Sequence, residues 1–355
     1  MVYREGGDVD AWIDANPGEE GGGGLTHRAI VASATIYRGS AVSTVAAFPK
    51  ESDARGTFVR QPSAFRDRIS ADGSSGFPAE AGRYHLYVSL ACPWAHRTII
   101  VRMLKGLEDT ISLSVVDPLR DARGWRFGPD FPDPLDHGWD HLAEAYAATD
   151  PSFAGRVTVP TLWDTRTGRV VNNESADILE MLNGEFDAFA TRPDLDLYPE
   201  ALRGEIDALN AWVYDDINNG VYKSGFAATQ DAYEAAVLPL FAALERADAR
   251  LATRRYLFGA APTLADWRLF TTLVRFDAVY VGHFKCNLRR IADFAHLSGY
   301  LRDLYQQPGV AATVDFDHIK RHYYLTHATI NPTAIVPVGP VLDLDAAHGR
   351  ELVGA

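Results

Sequence analysis

Cysteine is scarce in this sequence: 355 residues hold only two, Cys92 and Cys286. Two cannot build a disulfide framework. The opening "MVYREGGDVDAWIDANPGEEGGGG" has neither the basic start nor the apolar stretch of a secretory signal. A reducing, cytoplasmic setting is therefore expected, in which a free thiol stays available. Long apolar runs are missing as well; none reaches 18 residues, which excludes a membrane-spanning helix. Positive charge is in deficit, with 34 Lys and Arg against 47 Asp and Glu, a net −13. That balance argues against a nucleic-acid surface, which needs clustered cations. The run Gly21 to Gly24 lacks the flanking strand and helix of a phosphate-binding loop. No repeat of solenoid or propeller period is present, and the sequon at Asn173 carries no weight without secretion.

What is present supports two domains and a sizeable core: 47% of residues are hydrophobic and 23% charged. Residues 1–80, rich in Gly, Ser, Asp and Arg, read as an extension. Within it, "GTFVRQPSAFRDRI" carries enough Phe, Val and Ile to dock on a core. From residue 81 the pattern changes. "RYHLYVS" alternates like a strand, "PWAHRTIIVRMLKG" reads as a helix opened by Pro93 and stopped by Gly106, and "ISLSVVD" is a second strand. Strand, helix, strand implies a right-handed parallel unit. After a long polar connection, "RVTVPTLWD" and "GRVVNN" read as a hairpin, followed by the helix "ESADILEMLNG". The order describes a thioredoxin-like α/β domain over 81–190. Beyond it strands vanish. Residues 198–328 form an all-helical domain, in which Tyr233, Val237, Leu240, Leu244, Ala247 and Leu251 keep a helical rhythm. Pro239 predicts a kink in that helix, and Thr263 with Asp266 a capping box at the start of the next. Two further helices are expected over about 290–306 and 309–327, and residues 329–355 form a tail.

Chemistry concentrates at "LACPWAHR", Leu90 to Arg97, where strand gives way to helix. A free cysteine has a pKa near ~8.5, leaving a few per cent thiolate at neutrality. At a helix N-terminus, unpaired N–H groups and the macrodipole favour the anion. Cys92 is therefore a candidate nucleophile, the alternative being a small buried hydrophobe. Ala95 then selects the chemistry. A cysteine there would allow an internal disulfide; with alanine, oxidised Cys92 must pair with an outside thiol, which in cytoplasm is usually glutathione. Cys286, amid "HFKCN", reads as packing rather than as a resolving thiol. A cis bond at Val159-Pro160 would expose the backbone before it to a bound peptide. Ser175 would cap the helix it opens and offer hydroxyl and N–H groups to a carboxylate, with Glu174 for an ammonium. The alternative is that both merely cap the helix. His137 and His141 have i, i+4 spacing, but nearby Gly and Pro argue against a rigid metal site, and His318, His322 and His327 read as helix surface, packed or solvated. No metal is expected.

The segments "CPWAHR", "RVTVPTLWD", "VVNNESADILEMLN", "INNGVYKSGFA", "LFTTLVRFDAVYVGHFKCN" and "INPT" together resemble the xi-class glutathione transferases, the glutathionyl-hydroquinone reductases. The resemblance runs from about Gly56 to Pro340. It implies a cytoplasmic homodimer with a thioredoxin-like domain followed by an all-helical one, and a reaction in which a glutathionyl-hydroquinone and glutathione give hydroquinone and glutathione disulfide. It implies Cys92 as nucleophile, Trp125, Arg156, the Val159 backbone, Glu174 and Ser175 as the glutathione site, and Tyr222 and Tyr280 facing the aromatic substrate. Trp267 and the arginines around Trp125 depart from the family pattern. Two other readings use the same residues differently: an omega-class or glutaredoxin-like thiol transferase or dehydroascorbate reductase, and a non-catalytic carrier of aromatic ligands.

Overall fold

The computed structural model describes residues 51–354. Strand β1 (Tyr84–Val88) is buried at every position, as a strand covered on both faces must be. It pairs in parallel with β2 (Ile111–Val115) and antiparallel with β5 (Thr161–Asp164), which pairs in turn with β6 (Arg169–Asn172). The resulting order β2-β1-β5-β6 is a mixed sheet of thioredoxin type. Between β2 and β5 lie a short ribbon, β3 (Arg120–Asp121) with β4 (Gly124–Trp125), and helix α2 (Ala143–Thr149). The ribbon was not legible in the polar connection. The expected strand from Arg156 is also shorter: pairing starts at Thr161, because Pro160 has no N–H to give the ladder.

Helix α1 (Pro93–Lys105) connects β1 to β2. Cys92 is its N-cap, and Gly106 ends it at φ 65°, with Gly106 N–H and Leu107 N–H returning to the Met103 and Arg102 carbonyls. Only glycine fits there, since a Cβ would stand 1.6 Å from Thr191 Oγ1. The helix is buried nearly all round, including His96, Arg97 and Lys105, because it lies between sheet and helical domain. Helix α3 (Ser175–Glu180) packs beside it and continues as a wider turn through Glu185.

The helical domain comprises α4 (Arg203–Trp212), α5 (Gly220–Gly225), α6 (Gln230–Leu251), α7 (Leu264–Arg275), α8 (Leu297–Tyr305) and α9 (Phe316–Thr326). Helix α6 buries Val237, Leu240, Leu244, Ala247 and Leu251, as its rhythm required. It runs on through Pro239, which is exposed, so the lost N–H lies on the solvent side. Helices α8 and α9 begin later than expected: Gly309 sits at φ 85°, and Asp315 caps α9 through the His318 N–H at 2.8 Å. The tail is tied down by Arg350, which donates to the carbonyls of Leu251 at 2.9 Å and Arg255 at 3.0 Å.

Part of the presumed extension docks on both domains. Phe65 exchanges backbone and side-chain bonds with Asn173, at 3.0 Å each, and Arg66 pairs with Asp177. On the other side Arg60 Nε donates to Asn219 Oδ1 at 2.6 Å, and Ala228 N–H to the Gly56 carbonyl at 3.0 Å.

The capping box of α7 centres on a buried carboxylate that accepts four hydrogen bonds. Asp266 Oδ2 accepts from Thr263 N–H and Oγ1, and Oδ1 from Leu257 N–H and the Tyr300 hydroxyl. Asp266→Ala leaves these donors without acceptors and is expected to cost about 3 kcal/mol, read as a lower urea midpoint at unchanged slope. Asp266→Asn, which keeps one acceptor oxygen, should lose less.

Candidate active site

At the N-terminus of α1, Cys92 Sγ accepts from the Ala95 N–H at 3.5 Å and donates to the Val159 carbonyl at 3.3 Å. The thiol is partly exposed. The loop that presents it is held from behind. Arg275, fully buried on α7, donates from Nε to the Ala91 carbonyl at 2.8 Å and from Nη2 to the Leu90 carbonyl at 2.7 Å. Its Nη1 reaches the Thr271 carbonyl at 2.8 Å and His96 Nδ1 at 2.9 Å. His96 is thereby accounted for: burial and Arg275 push its pKa well below the ordinary value, so it accepts as a neutral ring and bonds Thr313 Oγ1 at 2.7 Å. Arg97 is also turned into the protein, onto Asn218 Oδ1 at 2.9 Å, and burial pushes it down to about 9.

Cys92 opens onto a cleft of about 970 Å³, its mouth included, between the two domains. Trp125, Arg156, Val159, Glu174 and Ser175 all line it. The Val159-Pro160 bond is cis. Helix α3 is capped differently from expectation: Glu174, not Ser175, is the N-cap, with Oε1 accepting the Ala176 N–H at 3.2 Å. Ser175 is the first helical residue, and its buried hydroxyl has no hydrogen-bond partner among the described residues. That orphaned Oγ beside the first N–H groups of α3 is suited to a ligand carboxylate. Glu174 Oε2 accepts from Ser63 Oγ at 2.9 Å, so the docked extension forms one wall. Arg156 pairs with the buried Glu51 of the same extension. Trp125 stacks on His322 with centroids 4.9 Å apart.

Opposite this cradle the walls are aromatic. Trp94, Tyr214, Tyr222, Phe226 and Tyr323 line the cleft. Tyr280 is not among the lining residues; it is fully buried, and its hydroxyl bonds the Tyr323 hydroxyl at 3.1 Å. Tyr323 in turn bonds Tyr222 at 2.5 Å. Tyr280, expected with Tyr222 to face the aromatic substrate, thus lies behind the cleft wall, and the Tyr323 hydroxyl on α9 bonds both Tyr222 and Tyr280. Burial raises all three phenols, Tyr280 and Tyr323 well above the ordinary value, so they are protonated donors at neutral pH.

Tyr323, Arg60, Glu51 and Trp94 escaped the reading of the sequence. For Tyr323 the only available signal was its i, i+4 relation to Ile319 on α9. The histidines of α9 are packed, not solvated: His322 Nδ1–H donates to the Pro118 carbonyl at 2.7 Å, and His283 meets His327 at 3.1 Å. His137 and His141 each take a separate carboxylate, Asp133 and Asp121. Among the described residues no group of three His, Cys, Asp or Glu is arranged to hold a metal ion. Cys286 is fully buried, and burial pushes its thiol up to about 12, which suits packing and not thiol exchange.

Residues 91–185 match the glutathione S-transferase N-terminal domain family and residues 230–303 the glutathione S-transferase C-terminal domain family. The chain is 53% identical over 307 residues to the glutathionyl-hydroquinone reductase YqjG of Escherichia coli, covering 84% of this chain and 93% of that one. The glutathione-bound structure of YqjG superimposes with a TM-score of 0.79 over 81% of this chain and 96% of the other. The glutathione transferase Xi of Phanerochaete chrysosporium, 51% identical, gives a TM-score of 0.79 over 82% of this chain and 95% of its own.

Burial lowers His283 and His318 to about 4 each, below the ordinary value of 6.5. Their folded form is the neutral one, so their contribution to stability is complete above about pH 6.5 and is lost as pH falls toward 4. The urea midpoint is expected to drop between pH 6.5 and 5, where few carboxylates titrate. His318→Gln should reduce that slope, by at most about 1.4 kcal/mol per pH unit.

Proposed function

The chain belongs to the xi-class glutathione transferases, and from that premise and the geometry of the cleft we propose that it reduces glutathionyl-hydroquinones with glutathione. One observation carries the reading: a cysteine without a partner thiol and a hydrogen-bonded pair of tyrosines, Tyr222 and Tyr323, line the same cleft. A thiol transferase acting on small disulfides needs the first but not the second.

In the proposed cycle, the tripeptide of the substrate lies along Val159, Glu174 and Ser175, with Trp125 and Arg156 at its other end, and its ring among the tyrosines. The ring carbon bearing sulfur is a poor leaving group as an aryl anion. Transfer of a proton from a ring hydroxyl to that carbon makes a ketone, and the carbon becomes sp3. Cys92 thiolate then attacks the glutathionyl sulfur. The S–S bond forms, the C–S bond breaks, and its electron pair becomes an enolate, the hydroquinone minus one proton. Tyr222 and Tyr323, held as protonated donors, stabilise the developing oxyanion, and Tyr280 orients Tyr323 from behind. The enolate takes up a proton and leaves as hydroquinone. A second glutathione thiolate attacks the glutathionyl sulfur of the mixed disulfide, releasing glutathione disulfide and Cys92 thiolate. The sulfur is oxidised and the ring carbon reduced, with no outside oxidant. Ala95 keeps the mixed disulfide waiting for glutathione, since no neighbouring thiol can resolve it.

The same proposal includes a homodimer in the cytoplasm. Val338 and Val341, 96% and 95% exposed, support a covered surface near the tail. No helix among the described residues is long and apolar enough to cross a membrane.

Treatment with glutathione disulfide is expected to add one glutathione by intact mass, and none to Cys92→Ala. Tyr323→Phe should lower kcat for a glutathionyl-hydroquinone by about 10²-fold, or ~3 kcal/mol, while leaving adduct formation at Cys92 intact. Tyr280→Phe should have a smaller effect. Full turnover in Tyr323→Phe would refute the enolate account, and an absent adduct would refute the enzyme.

A further inference from the structure

Three guanidiniums, of Arg60, Arg120 and Arg156, line the cleft together with two carboxylates, of Glu51 and Glu174. Arg156 is paired with Glu51, whereas Arg60 makes no ion pair with a carboxylate among the described residues. Arg60 comes from the docked extension and lies against the aromatic wall. Its Cζ is 4.1 Å from the Trp94 ring centroid, 5.0 Å from that of Tyr222 and 5.3 Å from that of Phe58. Nε is fixed by Asn219 Oδ1 at 2.6 Å, so the group is oriented by a side-chain amide of the helical domain. Nη2 is enclosed without a hydrogen-bond partner, and Nη1 makes no hydrogen bond among the described residues.

A half-buried guanidinium with one terminal nitrogen enclosed and unpartnered, and the other facing the cleft, is poised for an anion, because a charge-assisted pair would recover what burial removed from Nη2. Its place selects which anion. The carboxylates of glutathione have donors of their own in the cradle, at Ser175 with the start of α3 and at Arg156. Arg60 instead stacks on Trp94 and Tyr222, the latter bonded to Tyr323, where the ring of the substrate is proposed to lie. A planar cation at the edge of a ring pocket recognises a flat substituent in the plane of the ring, and a carboxylate matches it with two oxygens. We infer that Arg60 forms an anion subsite in the aromatic half of the cleft, selecting glutathionyl-hydroquinones whose ring bears a carboxylate or an ionised acidic hydroxyl. This deepens the function proposed above and rests on it.

The subsite can be tested without turnover, so that its failure and failure of the reductase reading are separable. The probes are 2,5-dihydroxybenzoate and its neutral methyl ester, titrated by calorimetry into Cys92→Ala protein. The carboxylate is expected to bind about tenfold or more tightly than the ester. In Cys92→Ala/Arg60→Gln the ratio should fall to about one, and in Cys92→Ala/Arg60→Lys it should be partly kept. Cys92→Ala/Arg156→Gln should keep the ratio. Equal binding of acid and ester by the Arg60-containing protein overturns the inference whatever the variants do. So does a ratio that survives Arg60→Gln, or one that collapses in Arg156→Gln. Loss of the glutathione adduct in the wild type would refute the reductase and leave the subsite result standing.

Discussion

The grip of Arg275 on the carbonyls of Leu90 and Ala91 is the contact on which the rest of the molecule depends. A guanidinium buried without a carboxylate is costly unless its donors are satisfied, and here four acceptors satisfy it. Two of those acceptors belong to the loop that delivers Cys92. The other two are the Thr271 carbonyl of its own helix and a histidine of α1. The bonds work as a set. The neutral His96 that accepts from Arg275 is itself fixed by Thr313, so a helix, a loop and a later turn are locked around one cation. The thiol is consequently presented by a joint between domains, not by the thioredoxin-like domain alone.

That joint explains why the cleft has two unlike halves. The sheet side contributes backbone and a helix end: the Val159 carbonyl, the start of α3 and the orphaned Ser175 hydroxyl. The helical side contributes the hydroxyls of Tyr222 and Tyr323, backed by the buried Tyr280, and the rings around them. Cys92 lines the cleft between these two halves. The extension closes the arrangement. Ser63 meets Glu174, Glu51 meets Arg156 and Arg60 lies on Trp94, so a segment outside both domains supplies part of each wall.

Reading the sequence succeeded where the signal was local. Tyr84 to Val88, the proline after Cys92 and the positive-φ glycine at 106 are short-range devices, and each acts through neighbours within a turn or a strand. The alanine at 95 is informative for the same reason, since a resolving cysteine would have to stand one helical turn away. The capping of α3 was misread because Glu and Ser are adjacent and either can cap; the backbone of Glu174, at φ −100° and ψ 113°, decided it.

What the sequence determined by itself, then, is the order of the elements, the lone thiol at a helix start and, through the resemblance, the kind of chemistry. Only the tertiary structure decided that Tyr323 bonds both Tyr222 and Tyr280, that Tyr280 is held back from the cleft, and that Arg60 and Glu51 reach the site at all. The physical reason is distance along the chain. Periodicity and capping report on residues within about one turn or strand of each other, whereas Arg60, Cys92, Tyr222 and Tyr323 meet only because α1 is bolted to α7 and the extension is folded back across both domains.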